Sequence, residues 1–202
     1  MYQSIQRFCL AILFSLISMT AHAQTIDDLF HHQGDPVAGN PQGSITIVEF
    51  FDYQCSHCIH MASAINNIIN NNKNVRVVFK DYPIRGPLSD LAARAALASI
   101  PQGKYYEFSH AMLVANEELS MTNIMQIAAT VGLDMTRLKR DMHNAEIDKE
   151  LDYTSKLAET LKITGTPAIF VGKTDTGNLG DVTFIPGEVS QNDLQKIIDG
   201  LK

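Results

Sequence analysis

The sequence contains no tryptophan, and it lacks both long hydrophobic runs and clusters of basic residues. An apolar run from Phe8 to Ser18 has about half of the roughly 20 residues that a membrane-spanning helix needs. A groove that follows a nucleic-acid backbone requires clustered Lys and Arg, whereas this chain of 202 residues has a formal net charge of −6. These absences argue against a membrane anchor and against nucleic acid as a partner.

The first residues of the chain have the pattern of an export signal. Arg7 precedes the apolar run, and Ala21-His22-Ala23 follows it with the small residues of a cleavage site. We therefore predict that residues 1–23 form a secretory signal peptide and that cleavage occurs near Ala23.

Cysteine is scarce, and its placement is informative. The chain has only Cys9, Cys55 and Cys58, and removal of the signal peptide leaves the last two in a chain bound for an oxidising compartment. A disulfide between cysteines three positions apart closes a very small loop, so it restricts the unfolded chain little and stabilises the fold weakly. The pair therefore favours redox chemistry over a structural role.

The pattern that follows a polar segment at residues 24–43 predicts a strand, a helix and a second strand. Ile45 to Phe51 is dense in β-branched and aromatic residues, which is typical of a buried strand. Helical periodicity then runs from Cys55 to about Asn72, and the next strand is expected at Val75 to Lys80. A crossover of this kind places its two strands in parallel.

The remainder of the chain predicts an α/β fold with a large helical segment. The pattern is helical from Pro87 to about Leu161, and we expect four or so helices there because turn signals interrupt it. Two short strands and a helix follow, at Ala168 to Val171, Val182 to Ile185 and Ser190 to Leu201. This order of elements predicts a four-stranded mixed sheet.

The domain organisation follows from this order. We predict one domain at residues 44–202, preceded by an N-terminal extension at residues 24–43. A helical insertion at about residues 87–150 is too long for a structureless loop, so we expect it to pack on the sheet as a subdomain.

The two cysteines lie where the first long strand passes into a helix. Cys55 is expected at the helix N-terminus, where free backbone N–H groups and the helix dipole stabilise a thiolate, the attacking species in disulfide exchange. Cys58 lies one turn later on the same face and is suited to act as the resolving thiol. His57 either tunes Cys55 through its ring or is a solvated residue at the helix start.

Glu49 interrupts the apolar strand six residues before Cys55. A carboxylate at such a position is either buried or faces a water-lined channel, where a raised pKa suits it to proton transfer with Cys58. The alternative is an edge-strand residue that points to solvent.

Thr166-Pro167 stands immediately before the third predicted strand. The sequence leaves the isomer of this peptide bond open, because cis is a minority state at X-Pro bonds. The position nevertheless suits the presentation of Thr166 backbone groups to an extended substrate as an added strand.

Together these motifs resemble the DsbA-like family of periplasmic disulfide oxidoreductases, in the thioredoxin superfamily. The resemblance rests on Val48 to Cys58, which holds the acid and the Cys-x-His-Cys motif, and on Gly165 to Gly172, which holds Thr-Pro. It covers about Ser44 to the C-terminus, and the motifs occur in the family's order around the helical insertion. The implied fold is thioredoxin-like with a helical insertion subdomain.

The resemblance also implies a role for each matching residue. Cys55 is expected to form the mixed disulfide with substrate, and Cys58 to resolve it. His57 is expected to tune Cys55, Glu49 to assist proton movement, and Thr166-Pro167 to form a cis-Pro substrate loop.

Three positions depart from the common pattern of the family. Ser56 stands where Pro is common, Ala62 where the best-known member has a second acid, and Thr166 where Val is frequent. Thr at the last position also resembles the isomerases and reductases of the superfamily, so the direction of exchange stays open.

The leading hypothesis is an oxidase that donates its disulfide to reduced exported proteins in a bacterial periplasm. The resemblance implies that a quinone-linked membrane oxidase similar to DsbB reoxidises it, and that it needs no cofactor of its own. Dimeric isomerases of the superfamily carry a separate dimerisation domain, and Gln24 to Gly43 is too short for one, so we expect a monomer.

Two functions of other classes remain open from the residues alone. Cys55, His57, Cys58 and His60 place soft and borderline ligands within six residues, which is compatible with a copper or zinc carrier. A peptide-binding module or chaperone, in which the dithiol is incidental, is the other alternative.

Overall fold

The computed structural model describes residues 25–115 and 118–202. The signal peptide predicted at residues 1–23 lies outside the described residues. Within the two described ranges, no helix combines the length and the apolar character that crossing a bilayer requires.

A single mixed sheet of five strands forms the centre of the fold, in the order β1-β3-β2-β4-β5. The strands are β1 (Val37–Gly39), β2 (Ile45–Phe51), β3 (Val75–Asp81), β4 (Ala168–Lys173) and β5 (Thr183–Pro186). The central pair β2 and β3 is parallel, as the sequence predicts, whereas β1 with β3, β2 with β4 and β4 with β5 are antiparallel. The predicted α/β class is therefore confirmed.

The prediction of four strands is wrong, because β1 adds a fifth at the outer side of β3. Its three residues show no hydrophobic alternation, so their sequence carries no strand signal. Val37 pairs with Val78, and Gly39 has a φ of 79°. A Cβ at Gly39 would lie 2.6 Å from the carbonyl oxygen of Val75, so this close approach of two strands requires glycine.

Helices cover both faces of the sheet. Residues 25–30 form α1, and the later helices are α2 (Ser56–Asn71), α3 (Pro87–Ala98), α4 (Tyr105–Val114), α5 (Met121–Thr130), α6 (Met135–Asp141), α7 (Ala145–Thr160) and α8 (Gln191–Gly200). The block between β3 and β4 therefore holds five α-helices, one more than the expected four or so. The additional break separates α6 from α7, because the side chain of Asn144 accepts a hydrogen bond from the N–H of Glu146 and begins a new helix.

The alternation of side chains along β2 separates two cores. Ile45, Ile47 and Phe51 belong to a large apolar cluster with α2, α3, α4 and α8. Val48 and Phe50 point to the opposite face, into a smaller cluster with α1, α7 and β4. Because successive side chains of a strand point to opposite faces, Glu49 lies on the face of the large cluster.

The segment predicted as an N-terminal extension packs directly on the sheet. Leu29 and Phe30 of α1 are fully buried in the smaller cluster. The ammonium of Lys80 on β3 lies 2.6 Å from a carboxylate oxygen of Asp35 and donates to the carbonyl oxygen of Asp28 at 3.0 Å. The side chains of Lys80 and Asp35 are both buried. This ion pair therefore holds the N-terminal segment against β3.

Candidate active site

The two cysteines lie at the junction of β2 and α2, on the side of the large core. Cys55 is the N-cap residue of α2 and has extended backbone angles. Its N–H donates to the carbonyl oxygen of Asp52 at 3.1 Å, and its own carbonyl accepts from the N–H of Ile59 at 3.0 Å. Both cysteines are buried and in the dithiol form, so the structure brings the predicted pair together at a helix start.

Asp52 fixes the loop that carries Cys55. One oxygen of its buried carboxylate accepts from the N–H of Gln54 and from the hydroxyl of Ser89, each at 2.7 Å, and the other accepts from the N–H of Arg85 at 2.9 Å. Asp52 was not among the site residues predicted from the sequence. The available signal was an Asp placed two residues before Gln54, in the position of an Asx-turn.

The peptide bond between Thr166 and Pro167 is cis, which answers the question that the sequence left open. The loop faces the dithiol, and the thiol of Cys55 donates to the carbonyl oxygen of Thr166 at 3.1 Å. The hydroxyl oxygen of Thr166 is buried and has no hydrogen-bond partner among the described residues. The carbonyl of Pro167 accepts from the N–H of Gly187 at 2.8 Å.

The surroundings of Cys55 favour its thiolate. Burial raises the pKa of Cys55, but the side chain of Thr166, hydrogen bonds from the thiol and N–H of Cys58, and the charge of Arg85 lower it. The lowering effects together exceed the effect of burial, so the pKa of Cys55 lies below its ordinary value. A thiolate at this sulfur is both a nucleophile and a good leaving group.

Cys58 has the opposite tendency. Burial raises the pKa of Cys58 far above its ordinary value, and the hydrogen bond with the Cys55 sulfur and the charge of Glu49 raise it further. At neutral pH Cys58 therefore keeps its proton in the dithiol form, while Cys55 is the readily ionised member of the pair.

Glu49 is 3% exposed and lies on the central strand β2, opposite Phe79 of β3 and Ile169 of β4. The alternative of an edge-strand residue pointing to solvent is therefore wrong. Burial raises the pKa of Glu49 to about 8, with a smaller contribution from the charge of Cys55. At neutral pH the carboxyl group is thus largely protonated.

A small cavity of about 10 Å³ adjoins Glu49, and its walls include Ala62 of α2 and Tyr106 and His110 of α4. This volume is at the lower limit, about 10–15 Å³, of what a single water molecule needs. The Nε2 atom of His110 is buried without a hydrogen-bond partner among the described residues, and burial lowers the pKa of this histidine. His110 was not predicted from the sequence, because its position beside the cavity at Glu49 depends on how α4 packs against α2.

His57 points away from the large core. Its Nδ1 atom lies 2.7 Å from a carboxylate oxygen of Glu188, and the Nδ1 atom of His60 lies 3.4 Å from the same oxygen. Among the described residues these three side chains form a group able to hold a metal ion, and neither Cys55 nor Cys58 belongs to it. Among these residues the structure therefore does not bring together the four ligands expected for a copper or zinc carrier. Glu188 was missed because it lies 131 positions from His57.

Comparisons with known proteins agree with this geometry. The model of the DSBA-like thioredoxin domain matches residues 46–199. A thioredoxin-like oxidoreductase from Silicibacter pomeroyi DSS-3 is 39% identical, with 86% of this chain and 95% of that chain covered and a TM-score of 0.78. The thiol-disulfide exchange protein alpha-DsbA2 from Wolbachia pipientis is 28% identical, with 92% and 98% covered and a TM-score of 0.78. The fold is also similar to that of the catalytic domain of Proteus mirabilis ScsC, at 23% identity over 91% and 97% of the two chains and a TM-score of 0.77.

Curated relatives include much longer proteins. An Na(+)/H(+) antiporter NhaA 3 from Salinispora tropica is 26% identical over 139 residues, which is 68% of this chain and 21% of the antiporter. The chain thus spans about a fifth of that relative's length. Ion transport by the whole antiporter is not inferred for this chain, because the match is confined to one segment.

Proposed function

This chain belongs to the family of DSBA-like thioredoxin domains, and we propose that it is an exported oxidase that introduces disulfide bonds into other exported proteins. The observation that carries the proposal is the contrast between its two sulfurs. Cys55 lies at a helix N-terminus facing Thr166, and these surroundings stabilise its thiolate. Cys58 is buried behind Cys55, and burial destabilises its thiolate. Stabilisation of the thiolate makes the dithiol form favourable and the disulfide form oxidising.

The proposed reaction begins with the Cys55–Cys58 disulfide and a client protein that holds two thiols. A client thiolate attacks the sulfur of Cys55, which forms a mixed disulfide and releases Cys58 as a thiolate. The second client thiolate then attacks the client sulfur of the mixed disulfide. This step forms the client disulfide and releases the Cys55 thiolate, so two electrons have passed from the client to the cysteine pair.

Glu49 is proposed to supply the proton that Cys58 needs when it leaves. Its carboxyl group is protonated near neutral pH because burial raises its pKa to about 8. The two groups interact, since a charge on Glu49 raises the pKa of Cys58. Because the pKa of Cys58 lies far above that of Glu49, this transfer moves the negative charge from the buried sulfur to the carboxylate. We propose that His57 further tunes Cys55, as the sequence predicts.

The client is proposed to bind as an extended chain beside Thr166 and Pro167. These residues line a groove with Ile163, Phe184 and Gly187, and the exposed ring of Phe184 suits apolar side chains that reduced, unfolded proteins display. Backbone groups at Thr166 then pair with the client as with an added strand.

We propose that residues 1–23 direct the chain to a bacterial periplasm, where it acts as a monomer on reduced exported proteins. A quinone-linked membrane oxidase resembling DsbB is proposed to accept the two electrons and restore the disulfide.

An equilibrium titration of the mature chain against glutathione tests the proposed direction. We expect a reduction potential near that of strong oxidants, about −120 mV, and far from that of reductants, about −270 mV. In parallel, Cys58→Ser should form a lasting mixed disulfide with a client whose cysteine carries a glutathione disulfide, releasing reduced glutathione, whereas Cys55→Ser should form none. A potential at the reducing end would contradict the oxidase, and the absence of a mixed disulfide would contradict the role of Cys55.

A disulfide isomerase or reductase is the second candidate, and Thr166 is the observation that favours it, since Thr before the cis-Pro resembles those enzymes. The two functions differ in the client that is consumed. An oxidase supplied as the disulfide form converts a reduced client to the oxidised form. An isomerase supplied as the dithiol form restores a client with mispaired disulfides, so faster recovery of the mispaired client would favour this second candidate.

A further inference from the structure

We propose that His57, His60 and Glu188 form a binding site for a divalent metal ion of borderline softness, for which Zn²⁺ is the natural probe. Their three ligand atoms all lie within 4.8 Å of one another. The two imidazole Nδ1 atoms point at the same carboxylate oxygen of Glu188, at 2.7 Å and 3.4 Å. Two imidazoles and one carboxylate are a donor set that zinc takes in proteins.

The backbone positions of the three ligands are fixed independently of any ion. His57 and His60 are three positions apart near the start of α2, so their side chains lie on neighbouring points of one helix face. Glu188 sits between two anchored residues: the N–H of Gly187 donates to the carbonyl of Pro167 at 2.8 Å, and the N–H of Val189 donates to the sulfur of Met61 at 3.4 Å. A site whose ligands stand on anchored backbone loses little entropy when it binds.

The distances suit tetrahedral coordination after a small adjustment. Zinc binds imidazole nitrogen and carboxylate oxygen at about 2.0–2.2 Å, so ligand atoms around a tetrahedral ion are roughly 3.3 Å apart. The contact of His60 with Glu188 already has this length, and that of His57 must lengthen by roughly half an ångström. The side chains of His57, His60 and Glu188 are 62%, 64% and 39% exposed, so they are free to make this change. The fourth position is then open to water or to a group of a ligand.

This site differs in kind from a thiolate metal site. Cys55 and Cys58 are buried, and neither is a member of the group. Thiol exchange makes and breaks bonds at the two sulfurs, whereas ion binding uses two imidazoles and a carboxylate. The inference does not rest on the proposed oxidase function, because the three ligands contain no sulfur.

The position of the site suggests what a bound ion does. Gly187, which precedes Glu188, lines the groove beside Thr166 and Pro167. An ion held by His57, His60 and Glu188 links the start of α2 to the loop that follows β5, at the rim of that groove. Occupancy by the ion therefore holds this loop against α2 beside the groove.

The experiment is a calorimetric titration of the mature Cys55→Ser/Cys58→Ser variant with Zn²⁺ alone. This background removes both thiols, so any binding has to use other ligands. We expect one Zn²⁺ per chain, with an affinity that falls roughly tenfold or more when His60→Ala or Glu188→Gln is added. His143→Ala removes another exposed histidine and serves as the matched control, which should leave the affinity unchanged.

Two outcomes would overturn the proposal. One is an absence of binding in the cysteine-free background while the wild-type dithiol still binds, which assigns the metal to the thiols. The other is binding that His60→Ala and Glu188→Gln do not weaken, in variants whose circular dichroism and urea unfolding match the parent. Titration of the wild-type chain with Co²⁺ gives an independent readout, because binding at a site without sulfur produces no thiolate charge-transfer band.

Discussion

The thiol of Cys55 donates a hydrogen bond to the carbonyl oxygen of Thr166 at 3.1 Å, while the hydroxyl of Thr166 is buried and unpartnered among the residues that the structure describes. Thr166 therefore offers an acceptor to the thiol through its backbone and a donor to the thiolate through its side chain. The side chain of Thr166 is one of the influences that lower the pKa of Cys55.

Replacing the hydroxyl by a methyl group tests this relationship. We expect Thr166→Val to raise the pKa of Cys55, because the thiolate loses a donor in a buried position. Thr166→Ser keeps the hydroxyl and should leave the pKa close to that of the wild type. The measurement is the pH dependence of thiolate absorbance in the ultraviolet. Equal pKa values for the Val and Ser variants, with Thr164→Val as an exposed control, would contradict the assigned role of the hydroxyl.

Asp52 is expected to be a large contributor to stability, although it does not touch a sulfur through its side chain. Its carboxylate accepts from Gln54, Ser89 and Arg85, and Asp52→Ala leaves these donors unpaired in a buried place. We expect the free energy of unfolding to fall by about 3 kcal/mol, and by less for Asp52→Asn, which keeps one oxygen acceptor. Urea denaturation measures both. The exposed Asp152→Asn should change stability by no more than about 0.5 kcal/mol, and a similarly small loss for Asp52→Ala would disprove the role.

The pH dependence of stability should report the burial of Glu49. Burial raises its pKa from 4.5 to about 8, so between these values the folded chain holds a proton that the unfolded chain has released. Stability from this group is therefore fully present below about pH 4.5 and is lost as the pH rises toward about 8. The loss is on the order of a few kcal/mol.

A comparison with Glu49→Gln isolates this contribution, since all other titrating groups are retained. We expect the free energies of unfolding of the variant and the wild type to depend similarly on pH near pH 4. As the pH rises further, the free energy of unfolding of the variant should increase relative to that of the wild type. Chemical denaturation at a series of pH values gives the difference in unfolding free energy. Parallel curves across this range would show that Glu49 ionises normally in the folded chain.

Phe30→Ala tests whether α1 is part of the cooperative fold. Phe30 is fully buried in the smaller core, and loss of a buried phenylalanine costs about 3–5 kcal/mol. Phe184→Ala is the control, because that ring is 44% exposed and its loss should cost about 1 kcal/mol, mainly through its stacking on another ring. If the urea transition of Phe30→Ala matches that of the wild type, while that of Phe184→Ala shifts, α1 unfolds separately from the rest of the domain.

The sequence predicts best where the pattern is local and dense. The bounds of β2 agree with its run of β-branched and aromatic residues, and the start of α2 agrees with the change of periodicity at Cys55. The parallel arrangement of β2 and β3 follows from their connection by one helix. The burial of Glu49 follows once β2 is a central strand, because an acid in such a strand has no route to bulk water.

What the sequence did not reveal depends on contacts between distant parts of the chain. β1 has three residues and is held by pairing with β3, and Glu188 meets His57 only when the loop after β5 packs on α2. The donor role of Thr166 depends on how its loop faces Cys55. The break between α6 and α7 is different, since Asn144 followed by Glu146 is a helix-start signal that the sequence itself contains.

The small strand β1 also has a consequence for solubility. Without Val37–Gly39, the outer side of β3 would display unpaired backbone groups along a segment rich in valine, which is a template for pairing with another chain. β1 is antiparallel to β3 and ends at Gly39, so it caps the sheet with a strand too short to recruit a further one. These three residues, which have no strand signal of their own, thus protect this edge of the sheet from pairing with other chains.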